Sequence, residues 1–212
     1  MQVVTVSASY GAGGSIIAPA VAERLGVPFV DRAIPTTVAA EIGVPIEEVL
    51  AHDDRAEYGL GRLLASAARL PNVALGGIEP SVAGLPFVAE EEFVSHTESV
   101  IRNLAGQGGG VFLGRAAAAV LANYPGSLHV RIDGPAERRV TQAMHLLGVD
   151  ERSAARQQRE TDQARAAYVR HFYGHEPDDP TLYHLMLDGT TVPHPTCVDL
   201  IVAAARALGI PY

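Results

Sequence analysis

The chain has 212 residues, 48% of them apolar, 19% charged and 6% aromatic, which fits one α/β domain with a buried core. Sixteen basic residues against 24 acidic ones leave a formal net charge of −8, which argues against a general binder of nucleic-acid backbones. All sixteen are arginine, so no ammonium side chain is available to any mechanism, and a sole cysteine, Cys197, excludes both a disulfide within the chain and a multi-cysteine zinc site.

The start, Met1-Gln2-Val3-Val4-Thr5-Val6, lacks the positive flank and apolar run of a signal peptide. No apolar stretch approaches the ~18 residues of a membrane span, so a cytoplasmic protein without membrane contact is expected. Val3 to Val6 is predicted as a β-branched strand and Gly11-Ala12-Gly13-Gly14 as a turn. A helix follows from about Ser15, with Ile16, Ala20, Val21 and Leu25 on one apolar face and Gly26 as its stop. Val27 to Val30 reads as a second strand ending at Asp31, and a crossover of this kind implies a parallel sheet. Helices are predicted over 35–42, 46–68 and 90–105, with a Gly/Pro-rich mobile loop from Pro71 to Pro86. Val111 to Leu113 is a buried strand running into Gly114-Arg115, followed by an alanine-rich helix over 116–122. Leu128 to Ile132 is a strand, Pro135 to Leu147 a helix with proline at its first turn, and 150–173 an arginine-rich helix. Leu185 to Asp188 completes the strands before a helix over 194–207.

Strand, glycine turn and helix in that order form a phosphate cradle, because successive glycines let N–H groups converge and the helix N-terminus adds partial positive charge. The lysine-bearing version is G-x-x-x-x-G-K-S/T; here Ala8 replaces its first glycine and Gly14 its lysine. A tight turn with no ligand is the alternative for Gly11, Ala12, Gly13, Gly14 and Ser15. Arg115 follows a strand, where ligands sit in open α/β sheets, and its guanidinium suits a phosphate; a salt bridge closing the strand end is the other reading. Arg152, Arg156 and Arg159 make a like-charged helical stripe that an anionic partner or plain solvation would relieve, with Arg138 and Arg139 as further cations. Asp31 either positions Mg²⁺ through water, orients Arg32, or caps the next helix. The eight histidines show no metal-ligand spacing, so no protein-held metal site is expected. Tyr168, Phe172 and Tyr173 are read as packing their helix onto the body, and Cys197 as structural.

These motifs resemble the cytidylate kinase-like family. The resemblance rests on Tyr10-Gly11-Ala12-Gly13-Gly14, Leu25-Gly26-Val27-Pro28-Phe29, Asp31-Arg32, Val111-Phe112-Leu113-Gly114-Arg115, and Asp162 with Arg165 as an Asp-x-x-Arg pair. It extends from residue 3 to about 205 and is weakest over 45–90. It implies a three-layer P-loop kinase fold over 1–212: a parallel-sheet core (1–34, 107–148, 180–212), a helical acceptor-binding insertion (35–106) and an arginine-rich lid (149–179). It further implies ATP with Mg²⁺ at 11–15 and at Arg138 and Arg139. A nucleoside monophosphate, by the same resemblance cytidine monophosphate, would lie against Asp31, Arg32, Arg115, Asp162 and Arg165, with Arg115, Arg159 and Arg165 neutralising the transferring phosphates.

Two departures shape the functional expectation. Ala116 stands where cytidylate kinases proper carry an Asp after Gly-Arg, and Ser15 where many relatives in the divergent cytidylate kinase-like group carry Arg after Gly-Gly. Losing the lysine's charge contact would cost about 3 kcal/mol, or ~100-fold in rate. A nucleotide-binding protein with little or no kinase activity, acting as a sensor or interaction partner, is therefore the second reading, and a kinase for another small molecule the third. The alanine-rich helices and 71–86 are candidate surfaces for a homodimer, which composition does not decide.

Overall fold

A computed structural model describes residues 3–30 and 90–209. Asp31, Arg32, the predicted helices 35–42 and 46–68 and the loop 71–86 lie outside the described residues. Five strands, β1 (Val3–Ala8), β2 (Phe29–Val30), β3 (Gly110–Leu113), β4 (Ser127–Asp133) and β5 (Leu185–Asp188), form one sheet in the order β2-β3-β1-β4-β5, with every pairing parallel. Its described helices are α1 (Gly14–Leu25), α2 (Glu90–Gly108), α3 (Ala117–Val120), α4 (Ala136–Leu147), α5 (Glu151–Tyr173) and α6 (His194–Leu208). Each strand predicted in this range is present, and the ends shift by one or two residues: β1 continues two residues past Val6, and β2 is confined to Phe29–Val30.

β1 is central and buried on both faces, as parallel strands are: Val3, Val4, Thr5 and Val6 are all inside. On one face, Val4, Val6, Val111, Leu128, Val130 and Ile132 pack against Ile17, Ala18 and Val21 of α1 and Cys197, Ile201 and Val202 of α6. On the other, Val3, Val30 and Phe112 meet Val100 and Ile101 of α2 and Ala117 and Val120 of α3. Each such Val or Ile side chain contributes about 1.5–3 kcal/mol of burial.

This layering fixes where the sheet opens. After β1 the chain leaves toward α1 on one face, and after the neighbouring β3 it leaves toward α3 on the other. Connections that part in this way leave a crevice at the carboxyl ends of the two strands. The glycine turn lies at one lip, after Ala8, and Gly114-Arg115 at the other, where the Gly114 N–H is tied to the Val6 carbonyl at 2.9 Å.

Candidate active site

The turn between Ala8 and α1 is held by its own backbone. The Ser9 N–H donates to Ile132 O on β4 at 3.1 Å, and the Ala12 N–H to Ser9 O at 3.1 Å. Gly13 caps α1 in the left-handed region (φ 92°), and its carbonyl accepts the N–H groups of Ile16 and Ile17, each at 3.0 Å. The N–H groups of Gly11, Gly13, Gly14 and Ser15 have no hydrogen-bond partner among the described residues. Unpaired donors at a helix N-terminus, with no acidic residue in the first turn of α1, are the kind of arrangement on which anion sites are built. Ser15 is exposed there and presents its hydroxyl.

From behind, α4 and α5 brace the turn. Asp162 Oδ1 accepts the Tyr10 N–H at 3.0 Å, and its Oδ2 accepts Arg139 Nη1 at 2.6 Å; the same Nη1 donates to Tyr10 O at 3.0 Å. Gln142 Nε2 donates to Gly11 O (3.0 Å), the Tyr10 hydroxyl to Gln157 Oε1 (2.5 Å), and Arg165 Nη1 to Ala8 O (2.7 Å). The charge chain continues into β4: Arg139 Nε lies 3.4 Å from Asp133 Oδ1, and Arg131 Nη2 donates to Asp133 Oδ2 at 3.0 Å and to Ser9 Oγ at 2.7 Å. Alternation of guanidinium and carboxylate lets both arginines be almost fully enclosed without isolated charge. Close packing follows: a Cβ at Gly11 would come under 3.0 Å from Arg139 O.

The predicted site residues therefore separate into groups. Gly11, Gly13, Gly14 and Ser15 carry main-chain donors with no partner among the described residues. Asp162, Arg139 and Arg165 converge on the backbone of that turn. Arg138 stands beside it, donating to Asp188 Oδ2 at 2.9 Å and to the Thr191 hydroxyl. The Thr190 hydroxyl, then Thr191 and Arg138, hold the Asp188 carboxyl below the usual range. Arg115 closes β3 at φ 54°, between Gly114 (φ 73°) and Ala116 (φ 52°); two non-glycine residues running left-handed store strain at this lip. Arg159 is exposed on α5 and makes no hydrogen bond or ion pair among the described residues.

Sequence reasoning missed Arg131, Gln142 and His194. Arg131 and Asp133 did carry a signal, two opposite charges at strand spacing inside an otherwise apolar run. His194 begins α6 and lies against Gly13, where a Cβ would meet its Nε2 at 2.6 Å; no local pattern announces that contact. Cys197 is buried with its thiol pushed up by burial, which suits a core residue and not a nucleophile. Among the described residues, no three His, Cys, Asp or Glu groups cluster to hold a metal ion, and no helix is long and apolar enough to cross a membrane.

The sequence profile of the cytidylate kinase-like family matches residues 3–191. Of solved structures, an uncharacterized protein from Eubacterium ventriosum superposes with a TM-score of 0.66 at 17% identity, over 98% of this chain and 99% of that one. A shikimate kinase from Acinetobacter baumannii in complex with shikimate gives 0.51 at 13% identity, over 100% and 96%. Identities this low establish a shared fold alone, that of the P-loop kinases. A uronate isomerase from Corynebacterium glutamicum is 33% identical over 94 residues, 44% of this chain; the match spans only 18% of that protein's length.

Proposed function

The chain belongs to the cytidylate kinase-like family, and from that premise we propose that it transfers the γ-phosphoryl group of ATP to a nucleoside monophosphate, cytidine monophosphate by family resemblance. One observation carries the proposal. The N–H groups of Gly11, Gly13, Gly14 and Ser15 have no partner among the described residues at the N-terminus of α1, after the carboxyl end of β1, and their turn is held by Asp162, Arg139 and Gln142. A polyphosphate placed there meets donors that need no reorganisation, which is the main device available to phosphoryl transfer.

Arg115, on the opposite lip, receives the acceptor phosphate. Its strained backbone fits a residue whose direction matters more than its local comfort. An acceptor phosphate oxygen attacks the γ-phosphorus while the bond from that phosphorus to the β–γ bridging oxygen breaks, giving two nucleoside diphosphates. The protein contributes alignment and neutralisation of the charge on the transferring group. Arg138, anchored by Asp188 and Thr191, lines the donor side, and Asp162 and Arg139 keep the turn in shape. Asp31 and Arg32 complete the acceptor side in this reading.

The donor set also fits Mg²⁺ carried in by the polyphosphate. That ion takes few protein ligands and keeps its waters, and the exposed Ser15 hydroxyl in the first turn of α1 is the group here that would hold it. When bound, it shields the charge on the β- and γ-phosphate oxygens.

Gly14 favours a second reading: with no side chain beside the cradle, the chain binds nucleotide with little or no turnover, as a sensor or interaction partner. A coupled assay of ADP formation decides between them. The kinase reading predicts turnover that requires both ATP and a monophosphate and drops about 100-fold in Arg115→Ala. Calorimetric binding of both ligands without turnover would establish the second reading.

A further inference from the structure

The segment that leads from β5 into α6 lies against the glycine turn at two points. A Cβ added at Gly189 would come under 3.0 Å from Ala12 O, and one added at Gly13 would meet the His194 imidazole. The ring approaches with Nε2 foremost, at 2.6 Å, and with Cε1 and Cδ2 behind it at 3.1 and 3.2 Å. A Cβ stands about 2.5 Å from the nitrogen of its own residue, so Nε2 lies no more than about 5 Å from the Gly13 nitrogen. That nitrogen carries one of the main-chain donors with no partner among the described residues.

The imidazole is not held for another purpose. His194 makes no hydrogen bond, ion pair or ring contact among the described residues, whereas the buried His129 is bonded at both ring nitrogens. Its backbone is restricted from both sides, because Pro193 caps α6 and Pro195 follows in the first turn. The charged groups on the elements around it have partners of their own or stand far off. After β5, Asp188 is held by Thr190, Thr191 and, from α4, Arg138. On β4, Asp133 pairs with Arg131. On α6, Asp199 pairs with Arg24, Arg206 lies in the last turn, and the buried Cys197 thiol is pushed up by burial and stays neutral. On α1, no acid stands in the first turn, and Glu23 and Arg24 are at the far end.

We propose that the His194 imidazole is a side-chain contact of the polyphosphate site, and that in its imidazolium form it supplies, from α6, a cation beside a loop that has no lysine. This rests on the reading of the turn as that site. An imidazole changes charge between pH 5 and 8, which an arginine does not. A triphosphate on the Gly13 N–H favours the protonated ring and is favoured by it in return. Binding therefore carries a proton from solvent onto the ring, and triphosphate affinity gains a pH dependence that belongs to the protein as well as to the nucleotide.

The test is calorimetry on the full chain with a non-hydrolysable ATP analogue at pH 6 and pH 8, in buffers of different ionisation enthalpy so that protons taken up are counted. His194→Gln keeps a hydrogen-bond donor at this place and cannot carry the charge. The unmodified chain is expected to bind about 3- to 10-fold more tightly than His194→Gln at pH 6, to match it at pH 8, and to take up more protons at pH 6. His194→Lys, charged at both values, should bind at pH 8 as tightly as the unmodified chain does at pH 6. A His194→Gln variant that loses affinity by the same factor at both pH values, with an unchanged proton count, would make His194 a packing residue and overturn the proposal. Equal affinity of the two chains at pH 6 would overturn it as well. If the unmodified chain binds no triphosphate at either pH, the reading of the turn itself falls, an outcome distinct from these.

Discussion

Gly13 carries two demands at one atom. Its φ of 92° disfavours any side chain, and the His194 imidazole occupies the space a Cβ would need. Gly13→Ala is therefore expected to lower stability by about 1–3 kcal/mol and to reduce triphosphate affinity. Denaturant unfolding beside calorimetry checks both effects. His194→Ala in the same chain should return only part of the loss, since it removes the clash and leaves the conformational strain; full recovery would mean that the strain is negligible. The sequence marks Gly13 as part of a cradle from the glycine spacing alone. It cannot mark His194, whose contact depends on how α6 returns along α1 after the whole sheet has formed.

Helices α4 and α5 act on the site through the backbone of the turn. Asp162→Ala leaves the Tyr10 N–H and one Arg139 donor without their acceptor, a loss of about 1–3 kcal/mol, tempered because the carboxylate is partly exposed. Hydrogen exchange at the Tyr10 amide should accelerate in that variant; an unchanged rate would show that the brace is not what orders the turn. Tyr10→Phe, which removes the bond to Gln157, should cost about 1 kcal/mol. Apolar periodicity and glycine stops made the described helices legible to within a few residues. Asp162 and Arg165 were legible as a pair only through resemblance, which aims them at a bound nucleotide. In the structure their hydrogen bonds reach Tyr10 and Ala8 over sequence separations of 152 and 157, distances at which no pattern in a single sequence reports a partner.

At the scale of the molecule, the alternation of β-branched runs with helical segments was enough to give a parallel α/β sheet. It did not give the polar seam within that sheet. His129 on β4 is buried, hydrogen-bonded through Nδ1 to the Thr5 hydroxyl at 2.8 Å and through Nε2 to that of Ser127 at 3.0 Å, and its ring stacks on His184. Burial, then His184, lowers its pKa from 6.5 to about 4. The unfolded chain thus binds the extra proton first, so stability falls as pH drops below 6.5 and levels off below about 4. The loss across that window is about 3 kcal/mol. Urea unfolding from pH 8 to pH 4 should show this slope, and His129→Gln should flatten it. In the proposed reading, the architecture presents an array of main-chain donors at the carboxyl end of the central strand. Amide NMR of the full chain titrated with ATP tests that most directly. The account predicts that the resonances of Gly11, Gly13, Gly14 and Ser15 shift together and saturate with one binding constant; amides there that stay unmoved while ATP binds elsewhere would contradict it.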